Sequence, residues 1–405
     1  MKGKTFLLAA AMAALAAGGA RAEDTKVKLG VLNDMSGVYA DISGPGSVVA
    51  AQMAADEFMA KNPGFKVEVI GADHQNKPDV GSSIARKWYD QDGVDAIMDT
   101  TTSSVALAVN DVTREKNKIF LVSGGGTSDL TGAKCSPNTV HWTYDTWALA
   151  NGTGSAITKQ GGTPWFFIVA DYAFGAALER DASAAVERAG GKVAGRVKHP
   201  LSATDFSSFL LQAQASGAKI VGLANAGGDL ITAIKQASEF GITDGGQALA
   251  GLLIFSSDVK AMGLPAAKGL LLTEAFYWDL NDQTREFSKK FGEKFSGKMP
   301  TSAQAGVYSS AMHYLNAIKD AKTKDAPKVM AQMRATPIDD PLFGKGEVRI
   351  DGRATHPMYL FRVKTPEASK GPWDIYELVA TIPADEAFRP LADGGCPLVE
   401  AAKKG

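Results

Sequence analysis

The stretch VKLGVLNDMSGVYADISGPG, residues 27–46, decides the fold of this chain of 405 residues. Residues 27–32 form a near-continuous apolar run, which predicts a buried strand. Ser, Gly, Asp, Asn and one Tyr follow, and a helical pattern begins after them. A strand that opens into small polar residues before a helix N-terminus is a favourable place for a small polar ligand. The stretch therefore predicts an α/β protein that holds a ligand at the end of its first strand.

The alternation of strands and helices continues along the chain in two series. The predicted strands lie at 27–32, 66–73, 94–99 and 118–123 in the first series and at 165–171, 192–199, 219–225 and 248–255 in the second. The final part differs, because its predicted strands have no helices between them; they are 347–350, 356–363 and 374–382. Buried strands that alternate with helices predict parallel, doubly wound sheets. Two series predict two α/β lobes, with the ligand in the cleft between them.

The first 22 residues have the pattern of a cleaved export signal. Lys2 and Lys4 precede an apolar run over 6–17, and Ala20-Arg21-Ala22 is a small-x-small cleavage site. A membrane anchor is the alternative, but the run is shorter than the ~20 residues of a spanning helix. Since no Cys lies near the cleavage site, a lipid anchor is not expected. We expect residues 1–22 to be a signal peptide and the mature protein to be periplasmic.

Charge and motifs exclude several classes of function. The chain carries 43 basic and 44 acidic residues without a Lys/Arg stripe, so nucleic acid is not an expected partner. H-E-x-x-H, C-x-x-C, P-loop and G-x-S-x-G motifs are absent, and the five histidines are far apart in sequence. We therefore expect no enzyme activity, no metal and no cofactor.

Two cysteines, Cys135 and Cys396, are present in the whole chain. In an oxidising compartment an isolated pair usually forms a disulfide, and two buried free thiols are the alternative. A bridge would tie the C-terminal tail to the chain beside the loop that follows Ser123.

Three loops at predicted strand ends are candidates for ligand contact: 33–45, 100–104 and 123–132. The last two are rich in hydroxyls and in glycines with unobstructed N–H groups, which suit a carboxylate. Ordinary turn chemistry is the alternative explanation for such loops. Aromatic residues also occur at strand ends and lobe boundaries, and these are Tyr39, Trp142, Tyr144, Tyr172, Phe174, Tyr277 and Trp278. Aromatic walls can hold an apolar or planar solute, although Trp142 and Trp278 fit ordinary packing equally well.

The ordered set of segments resembles the periplasmic solute-binding proteins of ABC importers, in the branched-chain amino acid-binding (leucine/isoleucine/valine) family. The resemblance covers nearly all of the mature chain, and its segments are 27–46, TTTSSVALAV at 100–109, KIFLVSGGGTSDLTG at 118–132, DYAFG at 171–175 and 204–229. It implies two lobes of the periplasmic binding protein type I fold joined by three hinge crossovers. The expected first lobe is 23–143 plus 276–345, the second is 146–273 plus 352–384, and the tail 385–405 returns to the first lobe.

The resemblance also implies roles for particular residues. In the family, the segments matching 102–104 and 125–127 hold the ligand carboxylate, and a ring matching Phe174 or Tyr172 covers the ligand. Amino-acid binders place an acidic residue after the strand matching 248–255, where this chain offers Ser256, Ser257 or Asp258. The candidate ligand-binding residues are Tyr39, Thr102, Ser103, Ser104, Gly125, Gly126, Thr127, Tyr172, Phe174, Asn225, Ser257 and Asp258.

The segment HWTYDTWA at 141–148, together with the cysteine pair, is similar to a proteobacterial branch that includes binders of aromatic carboxylates. The resemblance therefore implies a small carboxylate ligand, either an aromatic acid or an amino acid, delivered by a monomer to an inner-membrane ABC permease. A ligand-sensing receptor or regulator domain of the same fold is the alternative. Turnover of a bound ester or amide would instead indicate a hydrolase.

Overall fold

The structure is a computed structural model that describes residues 25–403, so the predicted signal peptide lies outside the described residues. A parallel five-stranded sheet in the order β2-β1-β3-β4-β5 forms the first layer. Its strands are β1 (Thr25–Asn33), β2 (Phe65–Asp73), β3 (Ala96–Asp99), β4 (Ile119–Val122) and β5 (Thr139–His141). The central strands β3 and β4 are buried along their whole length, because helices cover both faces of the sheet.

A second parallel sheet has four strands in the order β7-β6-β8-β9. They are β6 (Trp165–Ala170), β7 (Val193–His199), β8 (Ile220–Ala224) and β9 (Ala248–Gly251). Strand β6, with the sequence WFFIVA, is buried throughout and pairs with both β7 and β8. The three candidate ligand loops follow β1, β3 and β4 of the first sheet, and the chain after β6 and β8 of the second sheet carries Tyr172 and Asn225.

The C-terminal strands pair antiparallel. One sheet contains β10 (Leu271–Glu274), β13 (Met358–Val363) and β14 (Tyr376–Ile382), and a small hairpin contains β11 (Ile338–Asp340) and β12 (Gly344–Gly346). Leu272, Phe361 and Tyr376 belong to the same hydrophobic cluster as Ile168 and Leu223 of the second parallel sheet. The three-stranded sheet therefore packs with the second lobe.

Helices surround both parallel sheets. Their bounds are α1 (Gly44–Lys61), α2 (Pro78–Asp90), α3 (Ser103–Glu115), α4 (Thr146–Leu149), α5 (Ser155–Lys159), α6 (Ala173–Arg188), α7 (Ser207–Ala215), α8 (Gly227–Glu239), α9 (Ser256–Met262), α10 (Leu264–Ala267), α11 (Asp282–Lys294), α12 (Ser302–Ala321), α13 (Ala326–Ala335), α14 (Ala384–Ala387) and α15 (Pro397–Ala402). A π-helical turn over Ala150–Gly154 joins α4 to α5, and short 3₁₀ turns occupy Ser128–Thr131, Pro366–Ala368 and Leu391–Asp393. Among residues 25–403 we find no helix with the length and hydrophobicity needed to cross a bilayer.

The elements form two doubly wound α/β lobes, as the alternating pattern predicted. The first lobe is the five-stranded sheet with the helices that pack on it, and α12 lies against α1 there. The second lobe is the four-stranded sheet with α6 to α9 and the strands β10, β13 and β14. The chain passes between the lobes after β5, after β10 and between β12 and β13. The residue bounds given above for the lobes remain a prediction.

Two predicted strands differ from those observed. Residues 347–350 form an isolated bridge rather than a strand, because the chain turns back at once and the Arg349 N–H donates to the Arg353 carbonyl. The strand predicted at 248–255 ends at Gly251. The cysteine prediction is confirmed, since Cys135 and Cys396 form a disulfide that ties the tail to the first lobe.

Candidate ligand-binding site

A small void of about 10 Å³ lies where the two lobes meet. Its walls combine aromatic and small residues from both lobes, namely Tyr39, Ile42, Thr101, Gly124, Tyr144, Tyr172, Phe174, Ala226 and Leu253. A void of this size has room for about one water molecule, so the lobes are closed on each other here and a ligand can enter only when they separate. Of the predicted site residues, Tyr39, Tyr172 and Phe174 line it.

Two tyrosines meet across the cleft. The hydroxyl of Tyr39, from the loop after β1, lies 2.7 Å from the hydroxyl of Tyr172, which precedes α6 of the second lobe. Burial raises the pKa of both phenols, so both keep their protons at neutral pH. One hydroxyl donates to the other, so the pair keeps one hydroxyl proton to donate and lone pairs to accept hydrogen bonds at this end of the void.

Phe174 and Tyr144 form the wall of the void beside the loop at 123–132, called the glycine loop below. The Tyr144 hydroxyl donates to the Gly124 carbonyl at 2.7 Å, and its ring packs against Phe255 with centroids 5.7 Å apart. A Cβ atom placed on Gly126 would lie 2.9 Å from the ring of Phe174, which is too close for an unaltered packing. Glycine at position 126 is therefore what lets the ring of the second lobe approach the backbone of the first.

The loop after β3 is held in a tight backbone turn. Asp99 and Thr100 both have left-handed backbone angles, with φ of +75° and +60°. The buried carboxylate of Asp99 accepts hydrogen bonds from Asn33 Nδ2 at 2.7 Å and from the Ser47 hydroxyl. Burial raises the pKa of Asp99 to about 6, against the opposing effect of these donors. This anchoring fixes the direction in which the following threonines leave the sheet.

The turn brings Thr101 to the void and directs its two successors elsewhere. Thr101 donates from its N–H and hydroxyl to Asn33 Oδ1, at 3.1 and 2.7 Å. The Thr102 hydroxyl donates to Asn76 Oδ1, and the Ser103 hydroxyl accepts from the Thr127 N–H at 3.1 Å. Thr102 and Ser103 therefore connect parts of the first lobe, and Ser104 in the first turn of α3 is half-buried outside the lining.

The glycine loop likewise has one residue that faces the void and others that pack inside the first lobe. Gly125 packs against the Thr100 carbonyl and Ala106 inside the first lobe. Thr127 is buried, and its hydroxyl accepts from the Asp129 N–H at 3.3 Å, which caps the 3₁₀ turn that follows. Neither residue lines the void, whereas Gly124 does.

The predicted polar residues of the second lobe lie just behind the lining. Asn225 Nδ2 lies 3.1 Å from His199 Nε2, and Asn225 Oδ1 is buried without a partner among the described residues. The Asp258 carboxylate accepts from the Phe255 N–H at 2.9 Å and thereby caps α9. Ser257 is half-buried and has an unpaired hydroxyl within the same part of the chain. The neighbours Ala226 and Leu253 are the ones that reach the void.

Buried acids act electrostatically on the tyrosines of the lining, and the lining itself contains no Lys or Arg. Asp99, Glu274 and Asp258 all act on the phenol of Tyr144, and Asp229 acts on Tyr39 and Tyr172. Burial raises the pKa of Asp258 to about 7 and that of Asp229 to about 6. The lining can therefore contact an apolar or aromatic body, and the nearby acids, where ionised, would repel an anionic group that is not held by backbone N–H donors. Among residues 25–403 no cluster of His, Cys, Asp and Glu could hold a metal.

Five residues of the lining are not among the predicted site residues, namely Ile42, Thr101, Gly124, Ala226 and Leu253, and Tyr144 was predicted only as an aromatic at a lobe boundary. Each of the first four lies within a predicted loop or beside a predicted residue. The pattern could locate these loops, but it could not show which of their residues face inward.

Two doubly wound lobes that meet over a small aromatic void define the two-lobed class of solute-capturing proteins. Residues 26–372 match the family model described as periplasmic binding protein, and the chain belongs to that family. This membership confirms the resemblance inferred from the sequence, and its type I fold is the one predicted.

Solved structures support the same assignment. A periplasmic binding protein from Burkholderia mallei is 51% identical, with a TM-score of 0.90 and coverage of 92% of this chain and 99% of that one. A branched chain amino acid ABC transporter periplasmic ligand-binding protein from Burkholderia xenovorans LB400 is 40% identical, with a TM-score of 0.82 and the same coverages of 92% and 99%. An ABC transporter solute-binding protein from R. palustris in complex with benzoate is 21% identical, with a TM-score of 0.79 over 92% and 99%, and shows likeness of fold alone.

Proposed function

We propose that this protein captures a small aromatic carboxylate in the cleft between its lobes, at the position of the void, and delivers it to an ABC permease. The observation that carries the proposal is the set of aromatic rings from both lobes around one small void, namely Tyr39, Tyr144, Tyr172 and Phe174. Such rings hold a planar body through extensive apolar contact and favourable ring geometry. One of the similar structures is named as the periplasmic ligand-binding protein of a branched chain amino acid ABC transporter, and another was solved in complex with benzoate.

The carboxylate end of the ligand would face the first lobe. Helix α3 begins at Ser103, two residues after Thr101 of the lining, and has no acidic residue in its first turn. The free N–H groups of a helix N-terminus carry partial positive charge and attract an anion. The backbone of the glycine loop, which reaches the void at Gly124, supplies the other side of this anchor in the proposal.

An α-amino acid with an apolar or aromatic side chain is the second candidate ligand. The buried acids Asp258, Glu274 and Asp229 favour it, because a ligand ammonium would compensate their charge and the lining offers no cation. The carboxylate of a zwitterionic ligand would keep the same anchor on the first lobe.

Calorimetric titration with matched ligand pairs tests the proposal. L-Phenylalanine and 3-phenylpropanoate share one skeleton and differ in the ammonium, as do L-leucine and 4-methylpentanoate; benzoate completes the panel. We expect saturable binding of at least one acid and loss of binding by its methyl ester. Preference for 3-phenylpropanoate over L-phenylalanine, or for benzoate, supports an aromatic carboxylate, and preference for the amino acid of a pair supports the second candidate. Equal affinity for acid and ester would contradict both.

Export and transport complete the proposal. We infer that residues 1–22 direct export, that the mature protein acts in the periplasm as a monomer without catalysis, and that an inner-membrane permease receives its ligand. Family membership supports the transport role over a sensor domain of the same fold. Mass spectrometry of molecules that co-purify with the native periplasmic protein would identify the ligand. A product formed from a bound ester or amide would contradict the binding role.

A further inference from the structure

Ser128 is a junction of four chain segments outside the void. Its N–H donates to the Thr146 hydroxyl at 3.1 Å, and its carbonyl accepts from Arg389 Nη2 of the tail at 2.9 Å. Its hydroxyl donates to Asp181 Oδ2 at 2.7 Å and accepts from Arg180 Nη2 at 2.8 Å. Every polar group of this buried residue is thus used by a different part of the chain.

Arg180 and Asp181 bring the second lobe to this junction. Asp181 Oδ2 also accepts from the Thr146 hydroxyl at 2.6 Å, and Arg180 Nε donates to Asp181 Oδ1 at 2.9 Å. Arg180 Nη1 reaches Asp129 Oδ1 of the first lobe at 2.9 Å. The pair therefore makes charge-assisted hydrogen bonds to two consecutive residues across the cleft, the stronger class of hydrogen bond.

Helix α6 carries both this contact and a wall of the void. Phe174 in its first turn faces Gly126, and Asp181, two turns later, faces Ser128. Residues seven apart lie on the same face of a helix, so one face of α6 runs along residues 126–129. Arg180 and Asp181 therefore bind the same loop segment that Phe174 contacts. Unlike Phe174, Arg180 and Asp181 do not line the void.

The tail holds the first-lobe side of this contact in place. Arg389 binds the Ser128 carbonyl, and its own carbonyl accepts from Arg349 Nη1 at 2.9 Å. The Cys135–Cys396 disulfide fixes the tail close behind the same turn. The turn at 128–131 is consequently a rigid surface against which α6 can close.

We propose that Arg180 and Asp181 are positioning residues that hold the lobes closed through Ser128 and Asp129, and so set ligand affinity without touching the ligand. The proposal rests on the ligand-binding function proposed above for its effect on affinity, but its effect on closure can be measured without any ligand. For a ligand that binds only the closed form, the apparent affinity is the intrinsic affinity multiplied by the fraction of molecules that are closed. A variant with a smaller closed fraction therefore binds the ligand more weakly.

The test compares Arg180→Ala and Asp181→Ala with the matched control Arg196→Ala. Arg196 pairs with Glu179 of the same helix at 2.8 Å, but that ion pair lies within the second lobe. Small-angle scattering of the ligand-free proteins should give a larger radius of gyration for the first two variants and a wild-type value for the control. Titrations with benzoate and with L-leucine should show affinities weakened about tenfold in the first two variants only.

The salt dependence of ligand affinity distinguishes a closing contact from a merely structural role of Arg180, because a structural role would not change that dependence. The Arg180 side chain is 49% exposed, so its attraction to Asp129 should weaken between low salt and roughly 1 M salt. Wild-type affinity should fall over this range, and the affinity of Arg180→Ala should change less. If Asp181→Ala fails to fold, Arg180→Ala still decides the question.

Two results would overturn the proposal: scattering and affinities in Arg180→Ala that equal those of Arg196→Ala, or identical salt dependence in Arg180→Ala and wild type. Failure of wild type to bind any ligand of the panel would contradict the proposed function instead. A change in scattering confined to Arg180→Ala and Asp181→Ala would then still support the closing contact.

Discussion

The hydroxyls of Tyr39 and Tyr172 lie 2.7 Å apart and join the two lobes at one end of the void. The two residues are 133 positions apart in sequence and come from loops of different sheets. Because the two residues belong to different lobes, this hydrogen bond requires closed lobes. It therefore stabilises the closed arrangement and not the fold of either lobe. It also places two protonated phenols where a polar group of a ligand could exchange partners with them.

Tyr39→Phe removes this bond while keeping the ring. A neutral hydrogen bond contributes about 0.5–1.5 kcal/mol, so ligand affinity should fall roughly twofold to tenfold by calorimetry. Tyr89→Phe is the control, because the Tyr89 hydroxyl bonds to Thr113 and to the Ile119 carbonyl inside the first lobe. It should lower the free energy of unfolding without changing affinity. Unchanged affinity in Tyr39→Phe would show that the phenols do not contribute to closure.

Gly126→Ala should make closure of the lobes less favourable. The added Cβ would lie 2.9 Å from the Phe174 ring and 3.4 Å from the Tyr144 ring, and Phe174 belongs to the opposite lobe. Overpacking of about 1–3 kcal/mol confined to the closed form should weaken binding roughly fivefold to a hundredfold and increase the radius of gyration.

Gly125→Ala is the matched control for this variant. Its Cβ would lie 2.8 Å from the Thr100 carbonyl and 2.9 Å from Ala106, both within the first lobe. It should therefore lower the free energy of unfolding, measured in urea, more than it changes the degree of closure. Equal effects of the two variants on scattering would contradict the assigned contact with Phe174.

Asp258 should make stability depend on pH. Burial raises its pKa from 3.8 to about 7, so the folded state retains a proton that the unfolded state has lost between these values. Stability should then fall as pH rises through that window and level off above it. Asp258→Asn should flatten this slope when the free energy of unfolding is measured at roughly pH 5 and pH 8.

The slope should not vanish in Asp258→Asn, because the pKa values of Asp99 and Asp229 are also raised, each to about 6. The exposed residue Asp111, which pairs with Arg114, supplies the control variant Asp111→Asn. A variant Asp258→Asn with the wild-type slope would mean that Asp258 is ionised in the folded state over the whole range.

Reduction of the Cys135–Cys396 bond should destabilise the protein. The bond joins residues 261 positions apart, and removal of a native disulfide typically costs about 2–5 kcal/mol. Thermal unfolding of the double variant Cys135→Ser, Cys396→Ser should show the loss. Thiol titration of the unfolded, unreduced wild type should detect no free thiol, and two reactive thiols would contradict the bond.

The fold followed from the sequence because its buried strands are short apolar runs with helices between them, as in WFFIVA at 165–170. The position of the candidate ligand loops followed as well, since the carboxyl ends of parallel strands lie at one edge of a sheet. Tyr39, Tyr172 and Phe174 lie in the loop or the first helical turn that follows a strand end, and their rings line the void.

The inward direction of individual loop residues did not follow from the sequence. Consecutive left-handed residues at Asp99 and Thr100 re-aim the loop, so that Thr101 lines the void and Thr102 turns to Asn76. Asp258 falls in the first turn of α9, where its carboxylate caps the Phe255 N–H. The directions of these side chains depend on long-range hydrogen bonds or on the position of a helix boundary. Neither feature produces a periodic pattern of apolar and polar residues in the sequence.

The disulfide also determines how the molecule would carry mechanical load. Cys135 lies in the first lobe and Cys396 in the tail, so residues 136–395, with the whole second sheet, form a covalently closed side loop. Tension applied at the two ends of the chain would pass from residue 135 to residue 396 through the S–S bond. The second lobe would carry none of that force, and only the first strands, their helices and the last few residues of the tail could be extended.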